Sequence, residues 1–356
     1  MYSSEELSEL REKILSLCSL QSLPKEDQLI EIVNRTVNTL EHEAKDYRPK
    51  AKNSHPGGLL DLTGRKNDIV IVPDLHARPA FISNLLASNV TGEDLLSAMN
   101  EDRCTVICVG DGVHTETRGG CYERWIAAYE KWNRGEICSH EMCFEIKDCM
   151  ATMLSVMELK NAFPENFHFL KGNHENIQNE YGGGDYPFCK FAQEGQMVRD
   201  FMQEVYSEAT LHVIRCFERA LPIVAVCRHC VVSHGEPSIT YSKNEIINYH
   251  DNPEVIYGFT WTDNGEAKEG SVPETFKILN RREKKCLWFG GHRSVPGKYL
   301  LRQNGTYVQI HNPYAMNVAV VHEDGSFDLE KDIKSVLPEE NKSPTLDAER
   351  RGMVFS

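Results

Sequence analysis

The chain has 356 residues, 40% of them hydrophobic, enough for one large catalytic domain with appendages or for two domains. Its 39 basic residues against 53 acidic ones give a net charge of −14, the wrong balance for a protein held on nucleic acid by phosphate contacts; the densest basic run, Arg281-Arg282-Glu283-Lys284-Lys285, is short. No apolar run approaches the roughly 18 residues that span a bilayer, and residues 1–10 lack the apolar stretch of an export signal, so a cytoplasmic setting with no membrane partner is expected.

In chain order, residues 5–18 and 25–43 place apolar side chains at helical spacing: Leu7, Leu10, Ile14 and Leu15, then Leu29, Ile32, Val33, Val37 and Leu40. They predict a helical N-terminal extension over residues 1–55, with 49–58 as a loop. From there short β-branched runs each close on a polar turn, at 68–74, 105–110, 167–172, 230–234 and 286–291. Longer helical stretches, such as 149–162 and 194–207, lie between them. Strands alternating with helices predict a layered α/β sheet. Beyond Gly291 the pattern is β alone, with Asn304-Gly305 and Asp324-Gly325 as hairpin turns. Residues 336–356 are charged, carry Pro338 and Pro344, and predict a flexible tail. The twelve cysteines read as reduced, mostly buried thiols; Cys227-Arg-His-Cys230 has the spacing of half a zinc knuckle but no partner half.

Residues capable of chemistry gather where the runs end. The ends read Asp74-Leu75-His76, Gly110-Asp111, Gly172-Asn173-His174-Glu175, His234-Gly235 and Gly291-His292. In open α/β sheets the carboxyl edge of the strands collects the loops, and sites form there. Carboxylate, amide oxygen and imidazole suit Mn, Fe or Zn, with Mg also compatible. One carboxylate can bridge two ions about 3.5–4 Å apart, and a water shared between them ionises near neutral pH. The Gly182-Gly183-Gly184-Asp185 run is a loop near these residues and lacks the Lys-Ser/Thr of a phosphate-binding loop.

The ordered set DxH, GD, GNHE, HG and GH resembles the calcineurin-like metallophosphoesterase superfamily, most closely its phosphoprotein-phosphatase, Ser/Thr phosphatase-like branch. Three further stretches carry the likeness: LPIVAVCRHCVVSHGEPS at 221–238, Trp261-Thr262-Asp263, and VQIHNPYAMNVAVVHEDGSF at 308–327. It covers roughly residues 68–328. The resemblance implies a four-layer α/β/β/α sandwich of two mixed sheets flanked by helices, with a catalytic domain over 56–335. It implies two divalent or trivalent metal ions: Asp74 and His76 on the first, Asp111 bridging both, and Asn173, His234 and His292 on the second. His174 would be the general acid, and the reaction an in-line attack on phosphorus by the metal-bridging hydroxide. The leading activity is a phosphatase acting on phosphomonoesters, in a phosphoprotein or a small phosphorylated molecule. Its rivals are a phosphodiesterase or dinucleoside-polyphosphate hydrolase, and a binding module that keeps the metals without turnover.

The sequence departs from that branch just after Asp111. Where protein-directed members read GDxVDRG, this chain reads Gly110-Asp-Gly-Val-His-Thr-Glu-Thr-Arg-Gly119. His114 takes the place of the aspartate that orients the general acid, and Thr115 that of the phosphate-clamping arginine. Three inserted residues would let Arg118-Gly119 restore the clamp and let Glu116 orient His174, leaving His114 and Glu116 as alternative partners. Arg78, Arg118 and Arg293 are the candidates for phosphate binding. The surplus between Asp111 and Asn173 predicts a lid insertion within 112–165. Trp261 and Asp263 read as packing and capping residues, and His229 and His311 as strand residues.

Overall fold

The computed structural model describes residues 1–279 and 286–338 of the chain. Its strands are β1 (Leu59–Leu62), β2 (Asp68–Val72), β3 (Cys104–Cys108), β4 (Phe167–Phe169), β5 (Val224–Cys227), β6 (Cys230–Ser233), β7 (Leu287–Gly290), β8 (Leu300–Arg302), β9 (Tyr307–Gln309), β10 (Asn317–Val321) and β11 (Ile333–Ser335). The helices are α1 (Ser4–Cys18), α2 (Glu26–Glu41), α3 (Pro79–Ala87), α4 (Leu95–Asn100), α5 (Cys121–Trp132), α6 (His140–Ala162), α7 (Glu194–Val205), α8 (Glu208–Ala220), α9 (Lys243–Ile247), α10 (Pro253–Thr260) and α11 (Ser271–Ile278).

Strands assemble into two mixed sheets, one ordered β1-β5-β6-β7-β9-β8 and the other β11-β10-β2-β3-β4. The period-2 alternation of a strand sends successive side chains to opposite faces. In β2, Ile69 and Ile71 enter the core between the sheets, whereas Val70 and Val72 face the helices. β3 does the same with Ile107 inward and Val106 outward. In the other sheet Ala225 and Cys227 point inward, and Val224 and Val226 pack under α9, α10 and α11. Strands with both faces buried explain the nearly continuous apolar runs. The four layers are α/β/β/α, as expected. Cys227 and Cys230 lie buried between the sheets, and no cysteine of the chain is in a disulfide.

The helices α1 and α2 are integral to one layer. Ile14, Leu17, Leu29, Ile32, Val33 and Leu40 share a core with Val70 and Val106. A buried ionic knot fastens the segment that follows: Glu43 accepts from Arg48 Nη1 and from Lys160 Nζ, each at 2.5 Å, and Lys160 lies 3.3 Å from His168 Nδ1.

Within the segment 112–165, which was expected to include a lid insertion, α6 belongs to the core. Ser139 caps α6 by accepting from the Met142 N–H, and the helix is then buried without a break from Cys149 to Lys160. A helix covered all round belongs to a core, and α6 packs against α1, α2 and α3. The Asn304-Gly305 turn joins the antiparallel pair β8 and β9. Of the predicted tail, Val336 is buried and its N–H donates to the Met316 carbonyl; residues 339–356 and the 281–285 basic run lie outside the described residues. Among the described residues no helix is long and apolar enough to cross a membrane.

Candidate metal centre

Two trios of parallel strands end at one edge of the sandwich. In the five-stranded sheet β2, β3 and β4 run parallel as neighbours; in the six-stranded sheet β6, β7 and β9 do. Beyond their carboxyl ends come Asp74 and His76 (after β2), Asp111 (after β3), Asn173 and His174 (after β4), His234 (after β6), His292 (after β7) and His311 (after β9). All are buried, apart from the half-buried His292.

The loops holding them are strained and cross-tied. His76, Ala77, Asp111, His114 and His292 all have φ between 44° and 64°, a left-handed conformation that non-glycine residues rarely adopt and that clusters at working sites. The N–H groups of Leu75 and His76 both donate to the Asp111 carbonyl, at 3.1 and 2.7 Å. Glu175 accepts from the N–H groups of Asp111, Gly112 and Gly172, at 3.0, 2.8 and 2.7 Å, so one carboxylate sets the turn that carries Asp111.

Asp111 stands at the centre. Its Oδ2 lies 3.7 Å from His76 Nε2, 3.7 Å from His174 Nε2 and 3.4 Å from His234 Nε2. On one side Asp74 Oδ2 is 3.9 Å from His76 Nε2 and 3.7 Å from His311 Nδ1. On the other, Asn173 Oδ1 is 3.0 Å from both His234 Nε2 and His292 Nδ1. Three groups of residues here could each hold an ion: Asp74, His76 and His311; His76, Asp111 and His174; and Asp74, Asp111 and His234.

The polar atoms themselves call for cations. Asp74 Oδ2, His311 Nδ1 and His292 Nε2 are buried and, among the described residues, have no hydrogen-bond partner, although a buried polar atom left unpaired costs about 1–3 kcal/mol. Burial, with Glu116 adding its charge, pushes the Asp111 carboxyl up to about 8, and burial with Asp111 and Glu116 raises Asp74 well above the usual range. Burial also drives His234 down to about 4 and holds His76, His174 and His292 well below the ordinary imidazole value. Neutral imidazoles facing carboxylates form a donor set for metal, and a bound cation would reverse the carboxyl shifts. The residues present fit a pair of metal ions.

His174 has a different setting. Its Nδ1 lies 3.0 Å from Nδ1 of His114, and the Phe188 ring packs on it with centroids 3.8 Å apart. Glu116 does not reach it. Glu116 Oε2 accepts from His311 Nε2 at 2.8 Å, and Oε1 lies 3.6 Å from His76 Nε2. Of the two alternative partners for His174, the structure brings in His114, because the inserted turn carries Glu116 toward β9 instead. Burial would raise the Glu116 carboxyl, but His76 and His311 override it and hold it well below the usual range.

Arg78 is not placed to bind phosphate. Its guanidinium donates to the carbonyls of Leu75, Asp74, Asn312, Pro313 and Ala315, and so pins the β2 loop to the segment after β9. Arg293 is engaged by both oxygens of Asp263, at 2.8 and 2.7 Å, giving Asp263 a contact beyond capping. Arg118 Nη2 donates to the carbonyls of His76 and Ala77, while its buried Nη1 has no hydrogen-bond partner among the described residues. His311, read from sequence as a strand residue, belongs to the centre. The pattern of a strand running into a polar turn was present in Val308-Gln-Ile-His311-Asn-Pro, the same signal that marked the other ends.

No protein-family model and no curated protein matches this chain. Among solved structures it is similar to a serine/threonine protein phosphatase from Saccharomyces cerevisiae with similarity to human phosphatase PP5. The two are 16% identical with a TM-score of 0.54, over 91% of this chain and 94% of that one. A cold-active protein-tyrosine phosphatase of a psychrophile, Shewanella sp., aligns at 12% identity and a TM-score of 0.46, over 78% of this chain and 82% of that one.

Proposed function

We propose that this chain, which adopts the calcineurin-like metallophosphoesterase fold, is a dinuclear metal-dependent phosphatase acting on phosphomonoesters. The observation that carries the reading is the central Asp111, whose carboxylate is shared by two donor groups drawn from two different sheets. Asp74, His76, Asp111 and His311 would hold one metal, and Asp111, Asn173, His234 and His292 the other. When bound, the pair would supply a water activated near neutral pH and positive charge for the phosphoryl oxygens.

The chain's own residues supply the rest. His174 presents Nε2 beside Asp111 Oδ2, with Nδ1 held by His114. An imidazole fixed by one nitrogen offers a proton at the other, which suits protonation of a departing alkoxide. Phe188 against its ring keeps bulk water from that face. Arg118 Nη1, on the same loop as Glu116, is a buried cationic donor without a hydrogen-bond partner among the described residues. Phosphoprotein and small phosphorylated molecules both satisfy this chemistry.

The test is metal analysis of the purified protein joined to turnover of p-nitrophenyl phosphate, its bis ester and a dinucleoside polyphosphate. Two metals per chain with preference for the monoester supports the proposal. Preference for either of the other substrates replaces it with a diesterase or dinucleotide hydrolase, and a loaded protein inert on all three would be a binding module.

A further inference from the structure

Of the cations expected to meet a phosphate, Arg78 is consumed by backbone carbonyls and Arg293 by Asp263. A fourth cation enters the pocket from a loop that the motif pattern did not single out. We propose that Lys190 receives the phosphate dianion of the substrate and gives the centre its preference for monoesters over diesters. The inference rests on the phosphatase reading.

Lys190 Nζ lies 3.7 Å from Glu116 Oε1, the same oxygen that stands 3.6 Å from His76 Nε2. Its side chain is 42% exposed; besides the Glu116 oxygen, the ammonium has the Phe191 ring face 5.3 Å away, and among the described residues it makes no hydrogen bond that a ligand would have to break.

The loop is held in place on both sides of the lysine. Upstream, Phe188 stacks on His114 with centroids 5.2 Å apart and packs on His174. Downstream, the N–H groups of Lys190 and Phe191 donate to the two carboxylate oxygens of the fully buried Glu194, at 2.9 and 2.7 Å. The backbone is therefore fixed beside the proton-donating histidine while the four-carbon stem stays free to swing. A compact ammonium with rotatable donors can leave Glu116 when a second anion arrives. A monoester dianion offers that ammonium a full extra charge compared with a diester monoanion, and charge-assisted hydrogen bonds are the stronger kind.

The experiment uses the full metal-loaded chain and compares Lys190→Ala and Lys190→Arg with the wild type. For Lys190→Ala, KM for p-nitrophenyl phosphate and the dissociation constant of inorganic phosphate by calorimetry should each rise roughly 10–100-fold, the loss of one charged hydrogen bond. KM for bis(p-nitrophenyl) phosphate should rise several-fold less than that for the monoester, metal content and melting temperature should stay at wild-type values, and Lys190→Arg should recover most of the phosphate affinity. Unchanged phosphate affinity, or an equal loss on both esters, overturns the role of Lys190 while leaving the phosphatase reading intact. A loaded wild type without turnover sinks that reading instead, and the phosphate titration still decides on Lys190.

Discussion

Nδ1 of His114 faces Nδ1 of His174 at 3.0 Å, so one imidazole holds the other where the branch that the sequence resembles has an aspartate. Only one of two facing ring nitrogens can carry the proton. A protonated His174 must donate from Nδ1 to a neutral His114, and it keeps its Nε2 proton for the pocket. A neutral acceptor stabilises that imidazolium less than a carboxylate would.

The first prediction follows from this pair. A general acid works while protonated, so activity falls as pH rises through its pKa. Burial, then the neighbouring His76 and His114, already lower His174. His114→Asp adds a negative charge at hydrogen-bond distance, which shifts a pKa by about 1–3 units. The alkaline limb of the kcat profile should move up by a similar span of pH, whereas His114→Ala should slow turnover without moving it upward. An unmoved limb in the aspartate variant would remove His114 from this role.

His174→Ala should cut kcat by about 10²–10⁴-fold, the usual worth of general acid–base help. Metal content should be unchanged, because Nδ1 of His174 is engaged by His114 and the two donor groups are complete without it. Loss of metal in step with loss of rate would reassign His174 as a ligand.

Asp111→Asn weakens both donor groups at once, and metal analysis should show both ions depleted and activity lost. Glu116→Gln acts on one side only. It removes the carboxylate that orients His311, and outer partners of this kind are worth about 10–100-fold in metal affinity. Competition with a graded chelator should show one ion released early and the other retained.

The Glu43 knot predicts how stability responds to acid. Burial alone would raise the Glu43 carboxyl; Lys160 and Arg48 override it, and the group sits well below the unfolded value of about 4.3. Its contribution is full above that value and fades as pH falls. Burial and Lys160 take His168 down to about 4 against about 6.5 unfolded, so between those values the unfolded chain binds the extra proton. Both effects have the same sign, and the melting temperature should fall as pH is lowered from about 6.5 toward 4. Glu43→Gln leaves two buried cations uncompensated and should cost about 3–5 kcal/mol at neutral pH, read by denaturant unfolding with the site chemistry intact.

Gly291 is a tighter constraint than its turn suggests. A Cβ there would overlap the Asp74 carboxylate, and one at Gly172 would overlap that of Asp111. Gly291→Ala should lower metal content with little change in far-UV circular dichroism; retained metal would show that Asp74 can shift.

The architecture was legible because its strands are short, β-branched and terminated by chemistry-bearing turns. Asp74, Asp111 and Asn173 could be read where they stand, since each lies within three residues of the end of an apolar run. Contacts set by loop paths could not. Whether Glu116 or His114 meets His174 depends on where an inserted turn lands, and that is decided by His311, nearly two hundred residues away. Arg78 looked available because its sequence neighbours are ligand candidates; the carbonyls that consume it come mostly from residues 312–315. The depth of α6 was not legible, because a helix buried all round has no periodic face to betray it.

The donor residues are divided between the two sheets, with Asp74, His76, Asp111 and Asn173 on one and His234, His292 and His311 on the other. An ion seated there would act as a rivet through both halves of the sandwich. Neither sheet alone contains a complete cage, so ions would be captured late in folding, after the halves have met. Thereafter, pulling the halves apart would mean surrendering the metal, and the tightness of its binding would add directly to the work of unfolding.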